Sequence, residues 1–138
     1  MEYSISSDKS KLDVDAIHDY LCHKSYWAKG RSIERVRKSI ENSLCFGMYD
    51  THGHMLGFGR VVTDNVVFAY LMDFFIFEQH QRKGLGTHLA RHIFEHPDLQ
   101  VRLWFLGTYS AHGLYEKFGF KKVGDPDRFM YKRDERYT

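Results

Sequence analysis

The stretch FFIFEQHQRKGLGT, residues 74–87, decides the fold of this chain of 138 residues. An apolar strand ends in a loop that carries Gly84 and Gly86, and an amphipathic helix follows the loop. Two glycines one residue apart let the backbone approach a ligand closely. The first N–H groups of a helix have no internal partners and make that end positive, and Arg82 and Lys83 add formal charge there. The stretch therefore predicts a phosphate site, with a tight strand-to-helix turn as the plain structural alternative.

Working outward, the apolar run from Val66 to Phe77 predicts a strand that is buried on both faces. Patterns of apolar and turn residues predict the other elements: a strand at 3–6, helices at 13–23 and from Ser32, strands at 44–49 and 55–62, a strand at 101–106, a helix at 110–118, and a closing hairpin of 120–123 with 128–132. The sequence thus predicts one α/β domain over residues 1–138. Its mixed, mainly antiparallel central sheet is flanked by helices in the order β-α-α-β-β-β-α-β-α-β-β.

Composition narrows the classes of function. A net charge of +2 argues against a nucleic-acid-binding protein, because affinity for phosphate backbones needs concentrated Lys and Arg. No apolar stretch approaches the roughly 20 residues that span a bilayer, so we expect no membrane association. Cys22 and Cys45 have no metal-type spacing, and two free thiols with no signal-peptide pattern predict a cytoplasmic protein.

Two motifs narrow the ligand. The loop lacks the Gly-Lys-Ser/Thr of a Walker loop, and Leu89 stands where a Rossmann fingerprint needs its third glycine. Its pattern, Gln81-x-x-Gly84-x-Gly86, resembles the pyrophosphate loop of the GNAT superfamily of N-acetyltransferases. The segment TYSAHGLYEKFGF, residues 108–120, resembles the C-terminal signature of that superfamily, Ala-x-x-Leu-Tyr-x-x-x-Gly-Phe. The resemblance covers nearly the whole chain and is strongest to a bacterial-type subgroup of short GNAT proteins.

The resemblance implies a fold, an acetyl-CoA cosubstrate, no metal, and a set of cofactor-binding residues. The backbone of Phe74, Phe75 and Ile76 would pair with the pantetheine arm. Main-chain N–H groups of the loop would hold the pyrophosphate, which assigns this role to Gln81, Arg82, Lys83, Gly84, Leu85, Gly86 and Thr87. Tyr115 would stand near the thioester sulfur, although an aromatic there could also simply pack the last helix onto the sheet. Thr108 stands where the family often has Asn, and it would offer a hydroxyl to the pantetheine instead.

Asp73 is the most conspicuous polar residue in the apolar strand, and a buried charge is costly unless it is paired or functional. One interpretation pairs it with Arg60 of the neighbouring strand. The other makes Asp73 a catalytic general base or the group that binds the ammonium of the acceptor. Tyr26, Trp27 and Arg31 lie in or just after the loop between the first two helices. The resemblance implies that this loop covers the acceptor, and the alternative is a hydrophobic cap over the core.

The leading hypothesis is an enzyme that moves an acetyl group from acetyl-CoA to a primary amine of a small molecule. A protein or peptide amine is the first alternative acceptor, and a non-catalytic acyl-CoA-binding regulatory module is the second alternative. A homodimer is one option, since the family that the sequence resembles often dimerises, but the sequence does not fix the oligomeric state. His88, His92 and His96 share one helix face, but no Asp or Cys joins them at a recognisable spacing, so we expect no metal site.

Overall fold

One five-stranded sheet runs through the part of the chain that the computed structural model describes, residues 2–138. Its strands are β1 (Ser4–Ser6), β2 (Leu44–Tyr49), β3 (Met55–Thr63), β4 (Phe68–Ile76) and β5 (Leu103–Leu106). They lie side by side in chain order. The first four strands pair antiparallel, and β5 pairs parallel to β4.

Helices cover both faces of the sheet. They are α1 (Val14–Asp19), continued by a wider helical turn over Tyr20–Lys24, and α2 (Ile33–Glu41), α3 (Leu85–Phe94) and α4 (His112–Glu116). The Ser32 side chain accepts a hydrogen bond from the Arg35 N–H at 3.3 Å, which confirms the predicted cap at the start of α2. Within residues 2–138, no helix is long and apolar enough to cross a membrane.

The sheet separates two layers of buried apolar side chains. On one face, Ile17 of α1 and Val36 of α2 share a buried cluster with Phe58 and Phe75. On the other face, the buried residues of α3 and Tyr115 of α4 share a cluster with apolar side chains of β2, β3 and β4. Burying each large apolar side chain stabilises the fold by about 1.5–3 kcal/mol. Both helical layers are therefore held firmly against β4, the strand that the sequence places next to the phosphate loop.

β4 and β5 separate before β4 ends. Their last paired residues are Leu71 and Leu106, and β4 continues beyond that point. A bulge follows, where Asp73 and Phe74 of β4 together oppose the single Gly59 of β3. Asp73 has a φ of 50°, which is uncommon for a residue other than glycine and bends the strand locally. Because β5 ends at Leu106, no strand among residues 2–138 pairs with this edge of β4 beyond Leu71, and we call the space beside this edge the cleft.

Gly59 allows this bulge to pack against α3. A Cβ atom at this position would lie 2.9 Å from Ile93 Cδ1 and 3.2 Å from Phe74 Cδ2. A Cβ at 2.9 Å is closer than real Cβ atoms come to another heavy atom, so a larger residue here would force the tip of the Ile93 side chain and the Phe74 ring to shift. The glycine thus contributes to the shape of the cleft, although it lies on the neighbouring strand.

The predicted fold class is confirmed, since the chain forms an α/β structure with a mixed sheet flanked by helices. The strand that the sequence predicts from Val66 to Phe77 is shorter in the structure, where β4 spans Phe68–Ile76. Asp64 Oδ1 accepts hydrogen bonds from the N–H groups of Val66, Val67 and Phe68 at 2.8–3.1 Å. These bonds stabilise a turn that ends where β4 begins, so the first two valines belong to the turn.

The predicted closing hairpin of 120–123 with 128–132 is wrong, because neither segment is a strand in the described structure. All residues from Lys121 to Thr138 are exposed, so pairing these segments would bury no apolar face and their register would be weakly specified. A short helical turn, Pro126–Arg128, lies where the hairpin would need extended backbone. The ring of Phe129 packs on Phe105 of β5 at 5.0 Å instead of entering a strand ladder.

Candidate active site

The cleft between β4 and β5 has a free strand edge on one side. In the described chain, no strand pairs with this edge of β4 after Leu71. Backbone groups on such an edge can bind an extended ligand as though it were an added strand. At the end of the edge, the Gln81 side-chain amide donates a hydrogen bond of 2.8 Å to the Ile76 carbonyl oxygen. Residues 74–76, which the sequence assigns to the pantetheine arm, lie on this unpaired edge, and their binding role stays a prediction.

The glycine loop leads from this edge into the N-terminus of α3. Gly84 has a φ of 79° and is the N-cap, with no side chain to satisfy the first N–H groups of the helix. Arg82 also has a positive φ, 65°, and its side chain and that of Lys83 are exposed at the same end. A helix N-terminus with free N–H groups and added positive charge is suited to a phosphate group.

The space around both glycines is open to a ligand. A Cβ on Gly84 would meet no heavy atom within 4 Å, and one on Gly86 would meet only Ile76 Cγ1 at 3.8 Å. Neither glycine is therefore required by contacts inside the protein, and a Cβ at Gly86 would enter the space beside the end of β4. Leu85, by contrast, buries its side chain in the core, so it can offer only its backbone to a ligand. The loop thus leaves space beside both glycines, and its role in holding a pyrophosphate stays a prediction.

Tyr115 lies on the α3 side of the cleft, in a cluster of aromatic rings. Its ring is buried at 6.1 Å from Phe74, 6.3 Å from Phe94 and 6.0 Å from Phe120, centroid to centroid. Burial, with a smaller contribution from the Tyr26 hydroxyl, raises the pKa of Tyr115 well above the usual value for tyrosine. Its hydroxyl therefore stays protonated near neutral pH and can donate a hydrogen bond, but the raised pKa makes it a weaker acid than a tyrosine in water. The ring also packs α4, so both roles considered for it are compatible with this position.

The carboxylate of Asp73, at the bulge of β4, accepts hydrogen bonds from three side chains. Its Oδ2 atom accepts hydrogen bonds from Arg60 Nε and from Arg31 Nη1, each at 2.9 Å. Its Oδ1 atom accepts one from Trp27 Nε1 at 3.0 Å. The exposed fractions of the three charged side chains are 1% for Asp73, 9% for Arg60 and 13% for Arg31. The ion pair with Arg60 is thus present, and the role of Asp73 as a general base stays a prediction.

The loop between α1 and α2 reaches both the bulge and the far side of the cleft. Trp27 and Arg31 bind Asp73, whereas Tyr26 packs its ring on Trp27 at 5.1 Å and on Tyr109 at 5.3 Å. The Tyr26 hydroxyl also accepts a hydrogen bond of 3.3 Å from the Tyr109 N–H. The structure therefore brings Trp27, Arg31 and Arg60 to Asp73, and places Tyr26 at the loop before α4.

Three polar contacts at the site are absent from the sequence predictions. Arg60 Nη1 donates a hydrogen bond of 2.9 Å to Ser43 Oγ. The Tyr109 N–H donates one to the Tyr26 hydroxyl, and the Gln81 side-chain amide donates one to the Ile76 carbonyl oxygen at the end of β4. Tyr109 directly follows Thr108 in the C-terminal motif, which is a signal that could have identified it. Nothing in the local sequence around Ser43 indicates that it faces a buried arginine.

Thr108 has a contact within its own loop. Its Oγ1 atom accepts hydrogen bonds from the Ala111 N–H at 3.0 Å and from the Ser110 N–H at 3.4 Å, just before α4 begins. These bonds shape the turn that leads to Tyr115. The hydroxyl hydrogen of Thr108 can still be donated elsewhere, so the predicted contact with the pantetheine stays a prediction.

Comparisons with known proteins agree with this geometry. A protein named as an acetyltransferase from Gibberella zeae is 28% identical over 91% of this chain and 83% of its own length. The crystal structure of a protein assigned to the GNAT family of acetyltransferases, from Xanthomonas campestris pv. campestris, is 36% identical. It superposes with a TM-score of 0.93 over 97% of this chain and 94% of the other.

The fold is also shared with more distant enzymes. The ribosomal-protein-S18-alanine N-acetyltransferase of Escherichia coli has a TM-score of 0.68 and 24% identity, covering 88% of this chain and 79% of the other. At that identity, the likeness shows the fold alone. The family model described as an acetyltransferase (GNAT) domain matches residues 41–122, which include the glycine loop and the whole C-terminal motif. The chain therefore belongs to the GNAT family of acetyltransferases.

Proposed function

We propose that this protein transfers an acetyl group from acetyl-CoA to a primary amine of a small-molecule acceptor, by direct attack on the thioester. The observation that carries the proposal is the arrangement of three parts around one cleft. The free edge of β4 lies beside the Gly84–Gly86 helix N-terminus, and Tyr115 packs on Phe74 of that edge. These parts would bind, in turn, the pantetheine arm, the pyrophosphate and the thioester.

Acetyl-CoA supplies the activated acyl group, and the residues of the chain orient it. Backbone groups of residues 74–76 would pair with the amides of the pantetheine arm, and a strand N–H near the bulge would stabilise negative charge on the thioester oxygen. Holding the two reactants in one cleft removes much of the entropic barrier. No covalent bond to the protein is required.

Tyr115 balances the protons of this reaction. A nitrogen–carbon bond forms to the acceptor and the carbon–sulfur bond breaks, so the amine loses a proton and the departing thiolate gains one. The hydroxyl of Tyr115, kept protonated by its raised pKa, would donate to the sulfur and recover a proton from solvent or the acceptor. The acceptor must enter as the free amine.

The small size of the acceptor is supported by the loop between α1 and α2. Tyr26 meets Tyr109 through a hydrogen bond of 3.3 Å and contact of the two rings, and this pair would narrow an entrance to the acceptor on that side. An enclosed entrance suits a small amine better than a folded protein surface. A flexible peptide amine is the alternative acceptor, and the same assay distinguishes the two.

The test is titration calorimetry with acetyl-CoA, together with release of the CoA thiol on a panel of small amines and peptides. Gly86→Asp would put a carboxylate beside Ile76, in the path of the pyrophosphate, and should abolish binding. Gly124→Asp is the matched control, because Gly124 is exposed and a Cβ there meets no heavy atom within 4 Å. Failure of the wild type to bind acetyl-CoA would refute the proposal. Binding without acetylation of any amine would favour a regulatory module.

A further inference from the structure

Five aromatic rings form a continuous line beside the second half of β4. We call this line the aromatic row, and its members in spatial order are Tyr109, Tyr26, Trp27, Tyr20 and Phe77. Successive ring centroids lie 5.3, 5.1, 6.5 and 5.9 Å apart. The first three side chains are 83%, 56% and 36% exposed, and the last two are half-buried. A contiguous line of accessible rings is the kind of apolar surface that marks a ligand-binding site.

The aromatic row follows β4 from its bulge to the glycine loop. Trp27 Nε1 donates a hydrogen bond of 3.0 Å to Asp73, the bulged residue. The Tyr20 ring stacks on the Phe75 ring, with the centroids 4.0 Å apart and the planes at 9°. The Gln81 side-chain amide donates a hydrogen bond of 3.5 Å to the Tyr20 hydroxyl. The row is therefore fixed along the stretch of β4 whose free edge we propose for the pantetheine arm.

The aromatic row and Tyr115 lie on opposite faces of the sheet. Tyr115 belongs to the buried cluster that α3 forms with the sheet. Tyr20 and Phe77 pack against the other cluster, which α1 and α2 form. If the thioester sulfur lies beside Tyr115, the amine reaches the carbonyl carbon from the other face, where the row stands. The part of the acceptor that carries the amine would then contact these rings.

The charged side chains near the row are already engaged with one another. Arg31 and Arg60 both bind Asp73, and all three side chains are largely buried. At the Phe77 end, Lys24 and Glu78 form an exposed ion pair at 3.9 Å. What the row offers to a ligand is therefore apolar ring surface, which binds through burial and through contact between aromatic rings.

We infer that the aromatic row binds an aryl group of the acceptor, so that the preferred substrate is a primary amine joined to an aromatic ring by a short alkyl linker. The inference rests on the proposed function and deepens it. An aryl group gains more here than an alkyl group of similar size, because ring pairs add favourable electrostatics to the burial of apolar surface. The row is a positioning surface and takes no part in the proton transfers.

The experiment compares three acceptors on the full chain: phenylethylamine, cyclohexylethylamine and propylamine. Values of kcat and KM are measured by thiol release. We expect phenylethylamine to exceed propylamine in kcat/KM by roughly 10- to 100-fold, which is the affinity gained by burying one large apolar group. It should exceed cyclohexylethylamine by roughly 2- to 10-fold, the gain from a ring pair beyond its area. Both differences should lie mainly in KM, because the ring is bound and not transformed.

Variants of Tyr26 test the row without disturbing the core, since this side chain is 56% exposed. Tyr26→Ala should reduce the preference for phenylethylamine over propylamine by roughly 3- to 10-fold, whereas Tyr26→Phe should retain it because the ring remains. Tyr131→Ala is the matched control, because Tyr131 is 87% exposed and lies outside the row, and the preference should be unchanged. Titration with acetyl-CoA checks that each variant keeps an intact cofactor site.

Three outcomes would overturn the inference and leave the proposed function intact. The first is equal kcat/KM for phenylethylamine and propylamine in the wild type. The second is equal kcat/KM for phenylethylamine and cyclohexylethylamine, which would mean an apolar pocket that does not recognise rings. An unchanged preference in Tyr26→Ala is the third.

A binding measurement separates failure of the inference from failure of the proposed function. Calorimetric titration of phenylethylamine and of propylamine into the protein saturated with CoA reports acceptor binding without turnover. If no amine is acetylated, the proposed function fails. Tighter binding of phenylethylamine than of propylamine would then still support the row as an aryl site, and equal or absent binding would overturn the inference as well.

Discussion

Replacing Asp73 with Asn should destabilise the protein strongly, although the two side chains have nearly the same shape. Three donors, from Trp27, Arg31 and Arg60, converge on the two carboxylate oxygens. An asparagine has one acceptor oxygen, and its amide N–H₂ group would face at least one of these donors. Asparagine also tolerates a φ of 50°, so the backbone at the bulge is retained and only the charge is lost.

The magnitude follows from the burial of the partners. Removing one member of a buried ion pair costs about 3–5 kcal/mol, because the other charge is left uncompensated. Arg31 is 13% exposed and can turn towards water, whereas Arg60 is 9% exposed and is held between Ser43 and Met72. We therefore expect the lower end of the range, about 3 kcal/mol. For a domain of this size, that lowers Tm by roughly 10 °C.

Urea unfolding followed by tryptophan fluorescence, with calorimetry for Tm, measures the change. Asp134→Asn is the matched control, because Asp134 pairs with Arg136 on the exposed surface, where ion pairs contribute little. Its unfolding midpoint should equal that of the wild type within error. A Tm of Asp73→Asn within about 2 °C of the wild type would refute this reasoning, since it corresponds to well under 1 kcal/mol. If kcat also fell and the pH–rate profile lost its acidic limb, Asp73 would act as the general base.

Further predictions concern the tyrosines and the thiols. Tyr115→Phe should lower kcat by about 100-fold or more, because the proton donor is lost. The affinity for acetyl-CoA and the Tm should stay unchanged. An unchanged kcat would remove Tyr115 from the mechanism. A thiol reagent at about pH 8 should modify the partly exposed Cys22 and spare Cys45, because burial raises the pKa of Cys45 to about 11; equal rates without denaturant would contradict this. Burial also raises the pKa of Tyr49, to about 12. For both groups the unfolded chain releases its proton first, so their stabilisation is complete below about pH 9 and is lost as the pH rises through about 11 to 12. Urea midpoints that stay constant over that range would contradict the assignment.

The sequence by itself determined the parts of the site that depend on neighbours in the chain. Gly84 takes the left-handed conformation and caps α3 as the spacing of the glycines indicates, and Ser32 caps α2. The pairing of Asp73 with Arg60 was also accessible, because an apolar strand with one carboxylate, next to a strand with one arginine, leaves few other partners. Such features follow from backbone sterics and from the free-energy cost of burying a charge. Both effects can be predicted from the residue types at neighbouring positions in the sequence.

The closing hairpin shows where local pattern is insufficient. Phe120 and Phe129 suggested two short strands, but each ring packs individually, on Phe94 and Phe105 respectively. Short segments with few apolar residues acquire strand structure only when a partner strand buries one of their faces. Whether such a partner is in reach depends on the rest of the fold and not on the segment.

The convergence of Trp27 and Arg31 on Asp73 was decided by tertiary structure alone. Trp27 and Arg31 lie 46 and 42 positions from Asp73 in the chain, and both reach it because α1 and α2 cross the sheet over β3 and β4. The bulge turns the Asp73 carboxylate towards that loop, and Gly59 makes room for the bulge against α3. Such contacts depend on how helices pack on a bent sheet, which is the sum of many long-range burial energies. No short stretch of sequence encodes that sum, so sequence could propose the residues of the acceptor site but not their common attachment to Asp73.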